Sequence, residues 1–576
     1  MPLSIALPFR AILWPLIGAA TISILGRLLP NWLRRLAAAG FATLSLLMFS
    51  SLTSVEPVRV EVAWRPMNLF RTSPILYPED LSLAAGIVLA GVAIALLLGI
   101  RAREPKSAWY PMMLVGLAGS LTVLLAANLL TLALGSALID LSLIAIVLWG
   151  GDRAESERVS LALAVPGVAA TSLLFFTALW LDASAGHTSL WAQNLPTQTL
   201  QIVGIAGLLR MLIYPFHPRQ LNAPPDAAAV LLPVGTGVYL LARVQALSPL
   251  LAETRGFMAV GMLAIVAGGL LVWAGGHLAS NRDDVGGGLA RLWSAGLVYQ
   301  TGYAVVLAVL FPRAALWPIL CLPVALGALV IWWDAGQSKG DGPRAGWFEG
   351  VWQSTAPQRE RTRAWVVQRL PGLPRWGIWA TIRFLLALLP ALALASIAGA
   401  PLTAGFGLRW PLYAALLKEG SPNLLLILLT DVLVLAGFWL VLGRALRRAV
   451  HRRNAPAAVL TSGLLVLALL VAGIAPGGFN LRPALPAGVS VWGLGLLFIL
   501  PWLLGAWAAR WNGRLMDYAA LLQSVVRLDW LYRGAAWLGG QLVAPFYWLG
   551  QVGEGDGWWG WALIILALGA VFLAAR

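Results

Sequence analysis

The chain has 576 residues, of which 60% are hydrophobic and only 11% are charged, and its formal net charge is +16. Soluble domains carry roughly 45–50% apolar residues and about a quarter charged ones, so this composition excludes an ordinary soluble protein. Apolar runs recur along the whole chain at about twenty residues, the length that spans a hydrocarbon core of roughly 30 Å as a helix. We therefore expect an all-α polytopic membrane protein with about sixteen transmembrane helices and no soluble catalytic domain.

The predicted spans follow one another in chain order through mostly short connections. A segment at 404–418, between the twelfth and thirteenth spans, is predicted to be the second half of the twelfth. Hydrophobic run length places the spans near 8–28, 34–53, 81–100, 108–127, 129–150, 158–182, 196–214, 226–245, 256–277, 289–310, 314–333, 377–398, 422–446, 457–475, 488–509 and 557–575.

The positive charge lies mainly at the ends of the spans, where arginine anchors a membrane helix, so we expect no nucleic-acid partner. Loops after odd-numbered spans are richer in Lys and Arg, although the second loop carries Arg59, Arg65 and Arg71. The positive-inside rule predicts a multi-pass protein of the cell membrane, with odd loops in the cytoplasm and both termini on the non-cytoplasmic side. We expect 334–376 to be a cytoplasmic loop and 512–550 to be an amphipathic lateral segment.

The sequence offers no pattern for a cofactor or a metal ion. Cys321 is the only cysteine, and the four histidines are scattered without a pair at ligand spacing. Clustered cysteines for an iron–sulfur centre and a Gly-rich nucleotide loop are both absent from the sequence. We therefore expect no cofactor and no metal in this chain, and any redox chemistry must belong to partner subunits.

Two spans are interrupted by residues that the interior of a helix does not accommodate. Proline removes a backbone donor and clashes with the preceding turn, so each stretch is expected to break its helix. Freed backbone groups are tolerated in a membrane only beside protein or water, and paired breaks in two halves of a transporter point to an ion pathway. The break residues are Pro215, Pro218, Pro224 and Pro225 after the seventh span, and Pro401, Gly405 and Gly407 after the twelfth.

Ionisable side chains inside the spans are the candidate functional residues, because they are costly in a membrane and usually serve a function. Each break has an arginine within a turn or two, Arg210 or Arg409, which either lies on an interior polar axis or snorkels toward a headgroup. Asp140, in a Gly-Ser neighbourhood, is either functional or a purely structural carboxylate. With His217 in the first break and Asp431 in the thirteenth span, these residues form the candidate proton or ion pathway.

The motifs around these residues resemble the antiporter-like membrane subunits of respiratory complex I, a family shared with Mrp-type cation/proton antiporters and membrane hydrogenases. The stretch RMLIYPFHPRQLNAPPDAAAVLLPVGTGVYLLAR at 210–243 resembles the family's seventh and eighth helices. The stretch GAPLTAGFGLRW at 399–410 resembles its twelfth helix. Matches at 128–135 and 300–303 resemble the fifth and tenth helices, and the order and spacing agree over most of the chain.

The resemblance implies a fold of two inverted five-helix repeats, each with one broken helix. The repeats would occupy 108–245 and 256–448, preceded by three spans at 1–107 and followed by further spans and the amphipathic segment at 449–576. It also implies a midplane relay of Lys, Glu and His side chains. The implied partners are other membrane subunits of a respiratory or hydrogenase-like complex, within which this chain would have no redox site of its own.

Several relay positions of the family hold other residues here. The seventh-helix lysine aligns with Arg210, and the twelfth-helix Lys or Glu aligns with Arg409. The fifth-helix glutamate aligns with Ala137, and Asp140, one turn further on, is predicted to face the same side. The eighth-helix basic position falls near Leu232. Because arginine stays protonated in proteins, it can hold charge or form an ion pair but cannot pass a proton on.

Three functions stay open at this point. The first is a membrane-arm subunit of a complex I-like energy-converting assembly, which translocates protons or another cation along a polar axis containing a bistable Asp140–Arg210 pair. The second is a non-conducting structural or assembly subunit of the same kind of complex. The third and most remote is a membrane glycosyltransferase-type enzyme, for which Glu61, Glu79 and Asp80 are the outer-loop carboxylates.

Overall fold

The computed structural model is almost entirely helical where it describes the chain. The chain divides into two compact units, residues 1–519 and residues 520–576. The described residues are 3–26, 28–54, 56–62, 71–100, 108–150, 153–185, 189, 195–217, 224–247, 254–281, 285–311, 314, 316–337, 388–449, 456–475, 491–510, 516–528, 530, 531 and 534.

The first half of the described chain consists of eight helices and one short hairpin. A single 3₁₀ turn, Leu52–Ser54, extends the second helix. The helices are α1 (Leu3–Leu25), α2 (Asn31–Ser51), α3 (Asp80–Gly99), α4 (Trp109–Leu125), α5 (Leu129–Gly150), α6 (Arg153–Ala185), α7 (Thr197–Arg210) and α8 (Pro224–Leu247), and the antiparallel strands are β1 (Val60–Glu61) and β2 (Ile75–Leu76).

The second half continues with nine further helices in the part that the structure describes. The last of them, α17, begins in the first unit and ends in the second. They are α9 (Thr254–Asn281), α10 (Val285–Leu310), α11 (Leu316–Gln337), α12 (Leu388–Ile397), α13 (Ala404–Lys418), α14 (Asn423–Ala449), α15 (Pro456–Ile474), α16 (Val491–Ala509) and α17 (Met516–Val526).

Eleven helices of the described residues are long and apolar enough to cross a membrane. A spanning segment must satisfy every backbone group internally, which an uninterrupted apolar helix does. The predicted all-α polytopic architecture is therefore confirmed, and the helices begin and end within a few residues of the predicted spans. The expected last span at 557–575 and most of the expected loop at 334–376 lie outside the described residues, so the count of about sixteen stays a prediction.

The innermost helices of the first unit are α8, α10 and α11. The membrane-length stretch of α8 is completely buried, whereas those of α1, α2, α6 and α15 are less than half buried. Helix α8 packs against α4, α5 and α7, which precede it in the chain, and against α10 and α11, which follow it. The two inverted repeats stay a prediction, but the two helix breaks adjoin this buried centre, since α7 packs on α8 and α13 packs on α10 and α11.

In the part of the chain that the structure describes, the connections after the second, fourth and sixth spans lie together at one face of the bundle. The backbone of Tyr77 donates to the carbonyl of Leu125 at 2.7 Å, which joins the second connection to the fourth. Asn128 forms an isolated β-bridge with Ser189, beyond α6. Near the end of α6, Asp182 accepts hydrogen bonds from the backbone of Arg71 (2.8 Å) and the hydroxyl of Thr72 (3.2 Å). The hairpin β1–β2, which hydrophobic patterning did not predict, belongs to this face.

Candidate functional site

The first break lies where α7 stops at Arg210. The prediction carried this span to 214, but Met211–His217 form turns, and Leu212 has a φ of +51°. Pro215 lies within these turns, and Pro218 lies outside the described residues. Pro224 and Pro225 start α8 rather than interrupting a helix, because the first turn of a helix has no intrahelical partner for the missing N–H.

The second break separates α12 from α13 between Ile397 and Ala404. Its backbone turns at Gly399, with a φ of +77°, and at Leu402, with a φ of +66°, and Pro401 lies between them. Gly405 and Gly407 were predicted as break residues, but both lie inside the first turns of α13. A Cβ on Gly405 would lie 1.7 Å from the carbonyl oxygen of Ser396, and one on Gly407 would lie 2.3 Å from the Trp317 ring. These two glycines therefore permit close packing, and the turn itself is made by 398–403.

Arg210 and Asp140 form a buried ion pair at the first break. Nη1 of Arg210 donates to Oδ1 of Asp140 and Nη2 donates to Oδ2, both at 3.2 Å. Arg210 is 1% exposed and Asp140 is 5% exposed. Two parallel N–H···O contacts use the flat fork of the guanidinium, which lysine could not reproduce. The structure therefore joins the two residues that the sequence proposed as a pair.

Thr171 of α6 completes this first site. Its hydroxyl accepts a hydrogen bond from Nη2 of Arg210 at 2.6 Å and donates to Oδ2 of Asp140. Gly167, one turn earlier on the same face of α6, lies against the same carboxylate, since a Cβ there would be 2.6 Å from Oδ1 of Asp140. Three helices, α5, α6 and α7, thus meet at one charge pair.

The helix face that carries Asp140 differs from the expected one. Ala137 is exposed, whereas Asp140 is buried against Arg210, so the two residues do not face the same side. A step of three residues turns an α-helix by about 300°, so the side chains of residues 137 and 140 point in directions about 60° apart. That offset is enough to separate an exposed position from a buried one on a helix that has one exposed face.

Arg409 of α13 pairs with Asp431 of α14 at the second break. Nε of Arg409 lies 3.5 Å from Oδ2 of Asp431, and both residues are almost completely buried. The carboxylate also accepts hydrogen bonds from three phenol hydroxyls, those of Tyr299, Tyr303 (2.9 Å) and Tyr413. Charge-assisted hydrogen bonds of this kind compensate the desolvation of a buried carboxylate, so a cage of phenols encloses the second acidic residue.

The guanidinium of Arg409 also satisfies the broken backbone. Its Nη2 donates to the hydroxyl of Tyr299 at 2.6 Å and to the carbonyl oxygen of Ile397, the last residue of α12, at 2.9 Å. Its carbon Cζ lies 4.9 Å from the centre of the Tyr303 ring, within cation–π range. A Cβ on Gly399 would lie 1.6 Å from Nη1. Glycine is therefore required at this turn both by the positive φ and by the arginine.

His217 lies in the turn after α7. Nδ1 of His217 is 3.1 Å from the carbonyl oxygen of Pro215, and its ring stacks on Tyr214 at 5.4 Å.

Leu232, near which the resemblance places the family's eighth-helix basic residue, is buried within α8. A Cβ on Gly116 of α4 would lie 3.2 Å from Cδ1 of Leu232. The centre of α8 is thus packed by an aliphatic side chain at that position.

A third ion pair, which is only partly buried, was not predicted from the sequence. Nη2 of Arg243, in α8, donates to Oε1 of Glu79 at 2.8 Å, and Nη1 donates to the carbonyl oxygen of Ala126 at 2.5 Å. Tyr239, one turn earlier, donates to the carbonyl oxygen of Leu124 at 2.9 Å. Glu79, one of the three carboxylates that the enzyme hypothesis would use, is therefore engaged by arginine. The signal available in the sequence was the GVYLLAR motif, which ends at Arg243.

The comparison with known proteins gives one curated relative and several solved structures, and no family model matches the chain. The NADH-quinone oxidoreductase subunit N of Cereibacter sphaeroides (strain ATCC 17025 / ATH 2.4.3) is 27% identical over 441 residues, which cover 73% of this chain and 85% of that protein.

Three solved structures share the fold. A chain of the Mrp complex from Dietzia sp. DQ12-45-1b aligns with a TM-score of 0.68 at 16% identity, over 99% of this chain and 63% of that chain. A chain of respiratory complex I from Thermus thermophilus with bound aureothin aligns with a TM-score of 0.59 at 19% identity, over 83% of this chain and 100% of that one.

The third structure is the membrane-bound sulfane sulfur reductase, an archaeal respiratory membrane complex. One of its chains aligns with a TM-score of 0.64 at 16% identity, over 98% of this chain and 99% of that one. The likeness in fold extends over nearly the whole chain, and the likeness in sequence covers almost three quarters of it. The resemblance to antiporter-like membrane subunits that the motifs indicated is confirmed.

Proposed function

We propose that this chain, similar in sequence and fold to antiporter-like membrane subunits, is a membrane-arm subunit of an energy-converting assembly and translocates protons or another cation. The observation that carries the proposal is that the arginine beside each helix break is paired with a buried carboxylate from another helix. These pairs are Arg210–Asp140 and Arg409–Asp431. Buried charge beside broken helices is the arrangement in which transporters hold their ions.

The carboxylates are the groups that exchange the proton in this proposal. Arginine retains its proton, so Arg210 and Arg409 act as fixed positive charges. When the Asp140–Arg210 pair opens, an oxygen of Asp140 can bind a proton delivered by water and release it to water when the pair closes again. The proton binds and leaves without any other change of bonding, and the free energy comes from partner subunits.

A separate observation favours a second function, that of a non-conducting structural or assembly subunit of the same kind of complex. The observation is the aliphatic packing of Leu232 in α8, the innermost helix, at the position where the resemblance places a basic residue. An aliphatic side chain at this position interrupts a side-chain relay between the two ion pairs, so transfer between them would need water.

The location and partners follow from the same proposal. The relatives' names describe subunits of NADH-quinone oxidoreductase and chains of Mrp, complex I and sulfane sulfur reductase assemblies. We infer that this chain lies in the cell membrane among other membrane subunits. The second, fourth and sixth connections lie at one face, as the predicted alternation of spans requires. We infer from the positive-inside rule that this face and both termini are non-cytoplasmic.

Proton flux through the purified assembly tests the proposal. The tagged chain would be purified with the subunits that accompany it, placed in liposomes containing a pH-sensitive dye, and exposed to a potassium diffusion potential set with valinomycin. We expect flux in the wild type and its loss in Asp140→Asn and Arg210→Ala. Flux in the wild type that is unchanged in both variants would remove the conducting role of this pair, and absence of flux in all three would favour the scaffold function.

A further inference from the structure

A pocket of about 600 Å³ opens beside the start of α3, away from both helix breaks. The pocket lies where the second and fourth connections meet. Its lining includes Leu52, Arg59, Tyr77, Glu79, Asp80 and Ala127. A pocket of this size holds many water molecules, since one water occupies roughly 30 Å³ of liquid volume. Ionisable side chains in such a pocket are in contact with the aqueous phase.

Glu79 connects this pocket to the interior of the bundle. Its side chain is 20% exposed, and its Oε1 accepts the hydrogen bond from Arg243, whose side chain is only 5% exposed. Ala127 lines the pocket, and the neighbouring Ala126 supplies the carbonyl that holds the other terminal nitrogen of Arg243. One ion pair therefore has its acidic member at the pocket and its basic member inside the bundle.

The charges around Glu79 come from each element that packs against it. Arg243 and Tyr239 face it from α8, Asp80 follows it on α3, and Arg59 and Tyr77 line the same pocket. Burial raises the pKa of the Glu79 carboxyl above its ordinary value of 4.5, and the positive charge of Arg243 offsets only part of that rise. Proton exchange at this carboxyl is thereby moved toward the pH of ordinary aqueous media.

The same stretch of α8 contacts the helix that carries the first break. A Cβ on Gly237 would lie 2.7 Å from the carbonyl oxygen of Gly207 and 2.8 Å from the backbone nitrogen of Met211, the residue after Arg210. Arg243 follows Gly237 by six residues, which is about 9 Å along a helix. A single buried helix thus links the Glu79–Arg243 pair to the backbone next to the Arg210–Asp140 pair.

We propose that this pocket is the aqueous mouth of the ion path at its face of the membrane, and that Glu79 exchanges protons with the water of the pocket and thereby sets the charge opposite Arg243. The inference rests on the proposed translocation. On protonation, an oxygen of Glu79 gains one proton from pocket water and becomes neutral, while Arg243 keeps its own proton and its bond to Ala126. Deprotonation returns that proton to the pocket.

Flux in the reconstituted assembly tests this role with a matched pair of variants. Glu79→Gln keeps the size and hydrogen-bonding capacity of the side chain but cannot bind and release a proton. Glu61→Gln makes the same change at an exposed carboxylate on β1, outside the pocket lining. We expect Glu79→Gln to lower flux at least about a hundredfold, within the range that proton-transfer groups contribute, and Glu61→Gln to conduct like the wild type.

A second readout does not depend on transport. Because the pKa of Glu79 is raised in the folded chain, the stability it contributes is complete below about pH 4.5 and is lost as the pH rises through its folded value. The thermal unfolding midpoint of the wild type should therefore decline over that interval, and Glu79→Gln should remove this part of the decline while Glu61→Gln keeps it. An unchanged profile in Glu79→Gln would show that Glu79 does not exchange protons and would overturn the inference.

The flux outcomes separate the inference from the function on which it rests. Wild-type flux with Asp140→Asn inactive and Glu79→Gln fully active would overturn the role of Glu79 and leave the proposed translocation standing. Absence of flux in the wild type would overturn the translocation and the mouth with it. Loss of flux in both Glu79→Gln and Asp140→Asn, with Glu61→Gln active, supports both.

Discussion

Arg210 and Asp140, seventy residues apart in the sequence, meet in a two-pronged ion pair with both nitrogen–oxygen distances at 3.2 Å. The second break also holds an arginine–aspartate pair, but its surroundings differ. Nε of Arg409 lies 3.5 Å from Asp431, and phenol hydroxyls supply the other contacts of the carboxylate. One hydroxyl, from Thr171, serves the first pair, whereas phenols from α10 and α13 serve the second. The first pair therefore has fewer contacts to break when it opens.

The cost of losing half of the first pair is the first prediction. Arg210→Met leaves Asp140 buried without its counterion, and removal of one partner of a buried pair costs about 3–5 kcal/mol. The double variant Asp140→Leu/Arg210→Met removes both charges and should recover most of that loss. Unfolding free energies of the wild type, both single variants and the double variant give the coupling. Additive losses would show that the two side chains do not interact.

The turn at Gly399 gives the second prediction. Gly399 and Gly420 both have a positive φ, of +77° and +61°, so alanine at either position costs about 1–2 kcal/mol of backbone strain. Only Gly399 also faces Arg409, because a Cβ at Gly420 meets nothing within 4 Å. Gly399→Ala should therefore lower the thermal unfolding midpoint clearly more than Gly420→Ala. Equal shifts in the two variants would mean that Arg409 does not occupy this turn.

Gly167 offers a third prediction at the first break. Gly→Ala in a helix interior normally stabilises it by up to about 1 kcal/mol. Gly91→Ala on α3, where a Cβ meets nothing within 4 Å, should follow that rule. Gly167→Ala should instead destabilise by about 1–3 kcal/mol, because its Cβ would overlap the Asp140 carboxylate. Chemical unfolding of the two variants measures the difference, and stabilisation in both would contradict the contact.

The phenol cage gives a fourth prediction. Tyr299→Phe removes a hydroxyl that donates to Asp431 and accepts from Arg409, whereas Tyr413→Phe removes one donor to Asp431. Hydrogen bonds to charged groups are worth about 1.5–3 kcal/mol each, so both variants should lose stability, and Tyr299→Phe should lose more. Tyr518→Phe, at an exposed position, is the control. If Tyr299→Phe were as stable as the control, its hydroxyl would not bridge the pair.

Much of the fold follows from the sequence because a membrane leaves few choices. Apolar runs of spanning length must become helices, so α3, α5 and α8 begin and end within a few residues of the predicted spans. The breaks were located by proline, which acts locally. The same local rule misplaced Gly405 and Gly407, since glycine also serves close helix packing and the sequence does not distinguish the two uses.

The site was only partly predictable from the sequence. Charges inside apolar spans identified Asp140 and Arg210, and both take part in one pair. Arg409 and Asp431 were also identified, but the contact between them depends on how α13 and α14 pack, which no local pattern contains. Tyr299 and its two companion phenols were missed for a simpler reason: tyrosine in an apolar helix normally fills the core, and its hydroxyl gives no charge signal.

Arg243 shows a different limit of the sequence. An arginine near the end of a span is normally read as snorkelling toward the headgroups. Its partner Glu79 stands before α3, more than 160 residues earlier, where it was read as a loop carboxylate. Only the meeting of the second and fourth connections with the end of α8 brings the two together.

The central claim is that buried carboxylates carry the proton while the arginines beside the breaks hold fixed charge. Proton flux in the reconstituted assembly, compared between Asp140→Asn and Arg210→Lys, tests it most directly. Lysine keeps the positive charge opposite Asp140, so Arg210→Lys should stay within about tenfold of the wild type, whereas Asp140→Asn should lose about a hundredfold or more. Wild-type flux in Asp140→Asn, or a loss of flux in Arg210→Lys as large as that expected for Asp140→Asn, would contradict the claim.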